Sequence, residues 1–415
     1  MHFSRRVPSD LAPNRFALAL AAARASGRPL LDLTASNPTC VELDYPQDLL
    51  APLAGPASLV YEPQPFGLPA ARAAVAADFA RRGVTVPAGR VVLTASTSEA
   101  YSSLFKLLCE PGDHVLVPRP SYPLFEHLTR LDGVEADTYP LEYHGRWSVD
   151  VGELARSIST RTRAILAVSP NNPTGSFLDA HDLHAMATLC REHEIALIGD
   201  EVFADYHLLN GGTPPGPPKP YPTRGDGGCP PPASSRPSVV SVDEVLAFSL
   251  GGLSKSAGLP QLKLGWIGVS GPDDLVTDAL ARLEVICDSY LSVGTPIQQA
   301  AGALIARGAA IRARIADRIN RNYASLLELV TRYPSCAVLP AEGGWYAVIQ
   351  VPATRSEEDL VLTLLERDAV VVYPGYFFDF PREAFLVVSL LPAPAAFDAA
   401  STRVFERASA STHGE

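Results

Sequence analysis

Short apolar runs punctuate the chain and set its expected strands. Val91–Thr94, Ala164–Val168, Ile195–Gly199, Val245–Phe248 and Leu264–Val269 are compact apolar stretches bounded by polar, glycine or proline residues. That is the pattern of buried strands. From Glu99 the period changes: Tyr101, Leu104, Phe105 and Leu108 recur at helical spacing. Leu304–Leu329 keeps a helical pattern too, and Arg307, Arg312, Arg314, Arg318 and Arg321 mark a face expected to be solvated. Residues 1–30 predict an N-terminal arm and an amphipathic, alanine-rich helix. Leu31–Thr39 predicts a short strand and a turn. Toward the end, Gly343–Val351, a helix around Glu357–Asp368, Val370–Gly375 and Phe385–Leu391 predict an α+β unit. Asn210–Ser238, crowded with proline and glycine, predicts a surface insertion.

Composition narrows the class. The chain has 415 residues, 47% hydrophobic and 19% charged, which is globular and long enough for more than one domain. Its net charge of −11 argues against nucleic acid as a main partner, because phosphate binding needs a basic face. No apolar run approaches a membrane span, and no apolar segment backs the N-terminal Arg5-Arg6 pair as a secretory signal. The six cysteines show no Cys-x-x-Cys spacing and read as reduced thiols, so a cytoplasmic location is expected. His181, His184 and His193 read as a polar helix face rather than a metal site.

The stretch most loaded with chemistry is Ser249–Trp266. Lys255 sits between Ser254 and Ser256 in a glycine-rich segment otherwise free of charge until Lys263. The pattern predicts strand, loop, strand, with the lysine in the loop. Apolar flanks disfavour the ammonium form, and a neutral amine is the nucleophile that a Schiff base needs. Upstream, the strand Val91–Thr94 runs through Ala95-Ser96-Thr97-Ser98 into a helix. Free N–H groups and the positive helix end meet there, and both suit an anion; a plain N-cap is the simpler reading of the same residues. Tyr122 stands between prolines. Asn172 opens an Asn-Pro-Thr-Gly turn after one strand, and Asp200-Glu201 ends another. Strand ends of this kind are where open parallel sheets bind ligands.

These motifs, in this order, resemble those of the fold-type I pyridoxal-phosphate-dependent aminotransferases (class I/II), over about Leu31 to Leu391. The resemblance implies an α/β fold: a large domain with a doubly wound, mostly parallel sheet over residues 46–285, and a smaller α+β domain from residues 1–45 and 286–415. It implies pyridoxal 5′-phosphate as cofactor, with Lys255 as its Schiff-base residue and Asp200 on the ring nitrogen. It places Tyr122 against the ring, Asn172 on the ring hydroxyl oxygen, and Ser96, Thr97, Ser98, Ser254 and Lys263 about the cofactor. A homodimer is implied, with Tyr61, and Thr295 as a further contact, reaching the partner's phosphate site.

The chain departs from the family in three places. Ser36 stands for a usual glycine, Phe203 for a tyrosine that donates to the ring oxygen, and Val387 for the arginine that takes the substrate carboxylate. Arg382 is the nearby arginine available from a loop, although a surface role fits it better. The leading reading is an aminotransferase moving an amino group between an amino acid and a 2-oxo acid. A lyase, decarboxylase or cyclase acting on an amino acid is the alternative, and a non-catalytic cofactor-binding module the third.

Overall fold

The computed structural model describes residues 2–209, 236–291 and 293–410. Most of the expected insertion at 210–238 therefore lies outside the described residues. An eight-stranded sheet forms the centre, in the spatial order Val91–Thr94, Gly265–Ser270, Ala247–Gly252, Ala196–Asp200, Thr162–Val168, His114–Arg119, Glu135–Tyr143, Trp147–Val149. The five strands from Ala247–Gly252 to Glu135–Tyr143 are mutually parallel. Gly265–Ser270 runs antiparallel to both neighbours, and Trp147–Val149 antiparallel to Glu135–Tyr143.

The apolar runs are continuous because both faces of the sheet are covered. Val92, Val115, Leu166, Ile198, Leu250 and Ile267 point to one side. There they pack on helix Thr97–Leu108 (through Ala100, Leu104 and Phe105) and on helix Asp273–Tyr290 (through Val276, Ala279 and Leu283). Val91, Leu93, Leu116, Ile165, Leu197 and Ala247 point to the other. That side meets helices Pro69–Arg81 and Ala180–Glu192. Alternation within each strand is what splits the core into two layers.

A smaller antiparallel sheet has the order Ala337–Leu339, Tyr346–Gln350, Phe385–Ser389, Tyr373–Pro374. A two-stranded parallel pairing joins Leu31–Asp32 to Val370–Val371, tying the N-terminal segment to the C-terminal third.

Three expectations need correction. The helix Arg15–Ala25 packs one face on the core, Phe16 with Ala19, Leu20 and Ala23, but its outer face is mostly alanine and the exposed Leu18 rather than polar, so it is less amphipathic than expected. The helical pattern at 304–329 belongs to a single 36-residue helix, Thr295–Val330. Of its arginines, Arg307, Arg314 and Arg321 are exposed as expected, whereas Arg312 and Arg318 are partly buried, and all five are tied to distant parts of the chain. Arg312 donates to the Ser256 carbonyl at 2.9 Å, Arg318 to the Val41 and Leu391 carbonyls at 3.0 and 3.1 Å, and Arg307 to Asp48. Long guanidinium side chains reach backbone that a helical-face argument places out of range. Finally, Lys255 is not in an open loop: Leu253–Ser256 forms a helical turn directly after the strand Ala247–Gly252.

Candidate active site

The carboxyl ends of the central strands converge on one cavity of about 400 Å³. Strand geometry decides what faces it. Ile198 points toward helix Thr97–Leu108, so Asp200, two residues on, points the same way. Its Oδ2 accepts from the Tyr101 hydroxyl of that helix at 2.9 Å. Glu201 faces the opposite side. It accepts from the Ser238 hydroxyl and the Val239 N–H at 2.8 Å and from the Ser249 hydroxyl at 2.7 Å, and so acts as a structural anchor. Of the two adjacent carboxylates, only Asp200 belongs to the cavity.

Lys255 enters the cavity from its helical turn. The turn is held by the Tyr206 hydroxyl, which donates to the Lys255 carbonyl at 2.6 Å, and by Arg312 on the next carbonyl. The amine lies 4.7 Å from the Trp345 ring centroid and 5.3 Å from that of Phe203. Burial against these rings pulls the Lys255 pKa down to about 8, with the Asp200 charge partly countering. Burial pushes the Asp200 carboxyl up, and the hydrogen bonds from Tyr101 and the Val202 N–H partly offset that rise.

At the far side of Asp200, Ser96 caps helix Thr97–Leu108. Its side chain accepts from the Glu99 N–H at 3.1 Å, while Glu99 reaches back to the Ala95 N–H. The expected plain N-cap and the anion site thus coexist, because the remaining N–H groups of the first turn stay free of intrahelical partners. Gly265 on the neighbouring strand lets this turn come close. A Cβ there would stand 2.9 Å from the Ser96 carbonyl carbon and from Thr94 Oγ1, and 3.1 Å from the Thr97 nitrogen.

Ser96, Thr97, Ser98, Tyr122, Asn172, Asp200, Phe203, Ser254 and Lys255 all line the one cavity, with Ser36. Lys263 and Tyr61 do not. Lys263 is exposed with φ 51°, and Tyr61 is exposed. Thr295 opens the long helix outside the lining. Val387 is fully buried in the small sheet, and Arg382 is exposed in a separate hollow, stacked over Phe385 at 5.4 Å.

Sequence reasoning missed Tyr101, Tyr346, Tyr373, Phe377 and Phe378, which complete the lining. Tyr101 was legible only as one residue of an apolar helical face; its hydroxyl, on a helix starting at an anion site, was the available signal.

The match to the family model for aminotransferases of class I and II runs over residues 53–394. The chain belongs to that family. A glutamate-pyruvate aminotransferase AlaA of Escherichia coli (strain K12) is 24% identical over 385 residues, covering 88% of this chain and 87% of that protein. An aspartate/prephenate aminotransferase of Thermus thermophilus is 28% identical over 387 residues, covering 90% and 91%. In fold, an alanine aminotransferase structure from Pyrococcus furiosus is similar with a TM-score of 0.82 at 23% identity, covering 98% of this chain and 99% of that one.

This aminotransferase is pyridoxal-phosphate-dependent and transfers an amino group between an amino acid and a 2-oxo acid. The residues of the cavity fit the cofactor. A lysine with a lowered pKa suits its aldehyde, and a buried carboxylate suits its ring nitrogen. The Ser96–Ser98 turn, kept open by Gly265, suits its phosphate. The Asn172 amide, buried with its Oδ1 unpartnered, is free for a further polar contact.

Proposed function

We propose that Lys255 is the residue that carries the cofactor, as a Schiff base through Nζ, and that the aminotransferase reaction runs at this cavity. The observation behind this is the buried Lys255 amine facing the buried Asp200 carboxylate in one enclosed space. Asp200 would hold the ring nitrogen protonated, its carboxylate oriented from behind by the Tyr101 hydroxyl. Ser96, Thr97, Ser98 and Ser254 would hold the phosphate end, whereas Lys263, exposed and outside the lining, would reach it only by a change of rotamer. Tyr122 would pack on the ring and Asn172 on its hydroxyl oxygen, where Phe203 offers no donor. When bound, the cofactor supplies the electron sink for the substrate's α-carbon. Lys255 Nζ would serve as the base for the substrate's α-proton and as the acid that returns it. A pKa of about 8 suits a base working near neutrality.

The working unit is a homodimer in the cytoplasm. Leu59 is 89% exposed, Tyr61 71% and Leu291 66%, an apolar set that a second copy of the chain would cover. Tyr61 and Thr295 would then reach the partner's phosphate site. The cysteines among the described residues are free thiols, which suits a reducing compartment, and no described helix is long and apolar enough to cross a membrane. Residues 46–285 form the large domain, and 1–45 with 286–415 the small one. The Leu31–Val370 pairing supports that division.

The test is borohydride reduction of the purified holoenzyme followed by peptide mapping. The cofactor mass is expected on the Lys255 peptide, and Lys255→Ala is expected to lose it. An adduct at wild-type level in Lys255→Ala would refute the assignment. Sedimentation of the same sample reads the dimer; a monomer fully active at assay concentration would refute that part.

A further inference from the structure

Resting on this proposed function, the register of the small sheet says what kind of amino acid the site takes. Tyr373 pairs with Val387, and Val387 with Val348; Tyr346 pairs with Ser389. Register partners put their side chains on the same face, and so do residues two apart on one strand. Tyr346, Ser389, Val387 and Tyr373 therefore share one face. Tyr346 and Tyr373 line the cavity, so this is the face turned toward the site.

It carries no cation. Among the described lining residues Lys255 is the one cation and Asp200 the one anion, and the cofactor engages both. Arg24 acts on the Tyr373 hydroxyl at a distance. It already sits 3.8 Å from the Asp32 carboxylate. Arg382 lies in another hollow, and Arg119 donates to the Asp379 carbonyl at 2.8 Å.

What the wall offers instead is aromatic surface edged with neutral hydroxyls. Phe377 and Phe378 pack against Tyr373, with ring centroids at 6.0 and 5.8 Å. Phe378 is bound to the opposite side of the cavity, its carbonyl accepting from the Ser121 N–H next to Tyr122 at 3.0 Å. The Tyr346 phenol pairs with Ser36, and the Tyr373 phenol with Thr34.

We propose that the amino donor of this enzyme has a large apolar or aromatic side chain, and that neutral hydroxyl and amide donors, not a guanidinium, receive its α-carboxylate. A second carboxylate on the side chain finds no cation among the described lining residues of one protomer once Lys255 is engaged. A neutral donor discriminates weakly between a carboxylate and a carboxamide. A guanidinium discriminates strongly, because an unpaired buried charge remains when the carboxylate is removed.

The experiment titrates holoenzyme with phenylalanine, phenylalaninamide and glutamate, reading the visible spectrum for binding and the aminated cofactor for transfer. Phenylalanine and its amide are expected to bind within about tenfold of each other, with glutamate at least about tenfold weaker than phenylalanine. Arg24→Ala is expected to leave the acid-to-amide ratio unchanged. An amide weaker by about a hundredfold or more, the loss typical of a broken buried charge pair, overturns the proposal. So does glutamate binding as well as phenylalanine, or loss of acid selectivity in Arg24→Ala. If none of the three ligands, nor alanine or aspartate, yields aminated cofactor, the proposed function fails rather than the substrate assignment.

Discussion

Replacing Lys255 with methionine in the cofactor-free protein is expected to stabilise the fold at neutral pH. The drop of the amine from its ordinary 10.5 to about 8 corresponds to about 3 kcal/mol, at about 1.4 kcal/mol per pH unit. Methionine fills similar space without a charge to desolvate, so Lys255→Met gains about that much. The sign follows from proton counting. Below pH 8 both folded and unfolded chains carry the proton, and the folded state bears the full penalty. Between about 8 and 10.5 the unfolded chain binds more protons, so wild-type stability rises with pH relative to the variant. Above that window neither state is charged and the difference vanishes. Equilibrium urea unfolding of both proteins, from pH 7 to pH 10.5, measures it. Other groups titrating at alkaline pH cancel, since the two proteins share them. A variant no more stable than wild type at pH 7, or an advantage that persists undiminished at pH 10.5, would refute the reasoning that burial depresses this amine. The same penalty is the price of catalytic readiness: a lysine left in water would be protonated at neutral pH and unable to act as nucleophile or base.

Two further outcomes follow from contacts around the cavity. Gly265→Ala places a Cβ against backbone atoms of Ser96 and Thr97 that have no room to yield. Overpacking of this kind costs about 1–3 kcal/mol, and cofactor affinity, read by fluorescence titration of the apoprotein, is expected to fall because the phosphate turn moves; unchanged affinity would separate that turn from cofactor binding. Glu357 is buried and accepts from the Phe385 and Tyr376 N–H groups at 2.7 and 2.8 Å, tying the final strand to the turn that carries Phe377 and Phe378. Glu357→Ala strands both donors, so chemical denaturation is expected to show a loss of about 2–4 kcal/mol; a loss below about 1 kcal/mol would mean that water replaces the carboxylate.

The linear pattern alone determined much of this protein. Continuous apolar runs such as Ala164–Val168 read as buried strands, and the motifs just past three of them, at Asn172, Asp200 and Lys255, carried the family resemblance that implied a parallel sheet with its chemistry at the strand ends. Local chemistry also marked the Ser96 cap, because a helix start is written within four residues. What the tertiary structure decided is whatever depends on partners distant in sequence. It separated Asp200 from Glu201, since strand alternation sends one to the cavity and the other to Ser238 and Ser249. It tied arginines of the long helix to distant partners, Arg307 to Asp48, Arg312 to Ser256 and Arg318 to Val41, and drew Arg312 and Arg318 partly out of solvent. It coiled the lysine segment into a helical turn and pinned that turn from afar, the Tyr206 hydroxyl on the Lys255 carbonyl and Arg312 on the Ser256 carbonyl. It also built the aromatic wall from Tyr346 and Tyr373 with Phe377 and Phe378, segments brought together by sheet register, and set Tyr101 behind Asp200 by helix packing. Periodicity reports which face of an element is buried; only packing between elements says which buried hydroxyl meets which carboxylate.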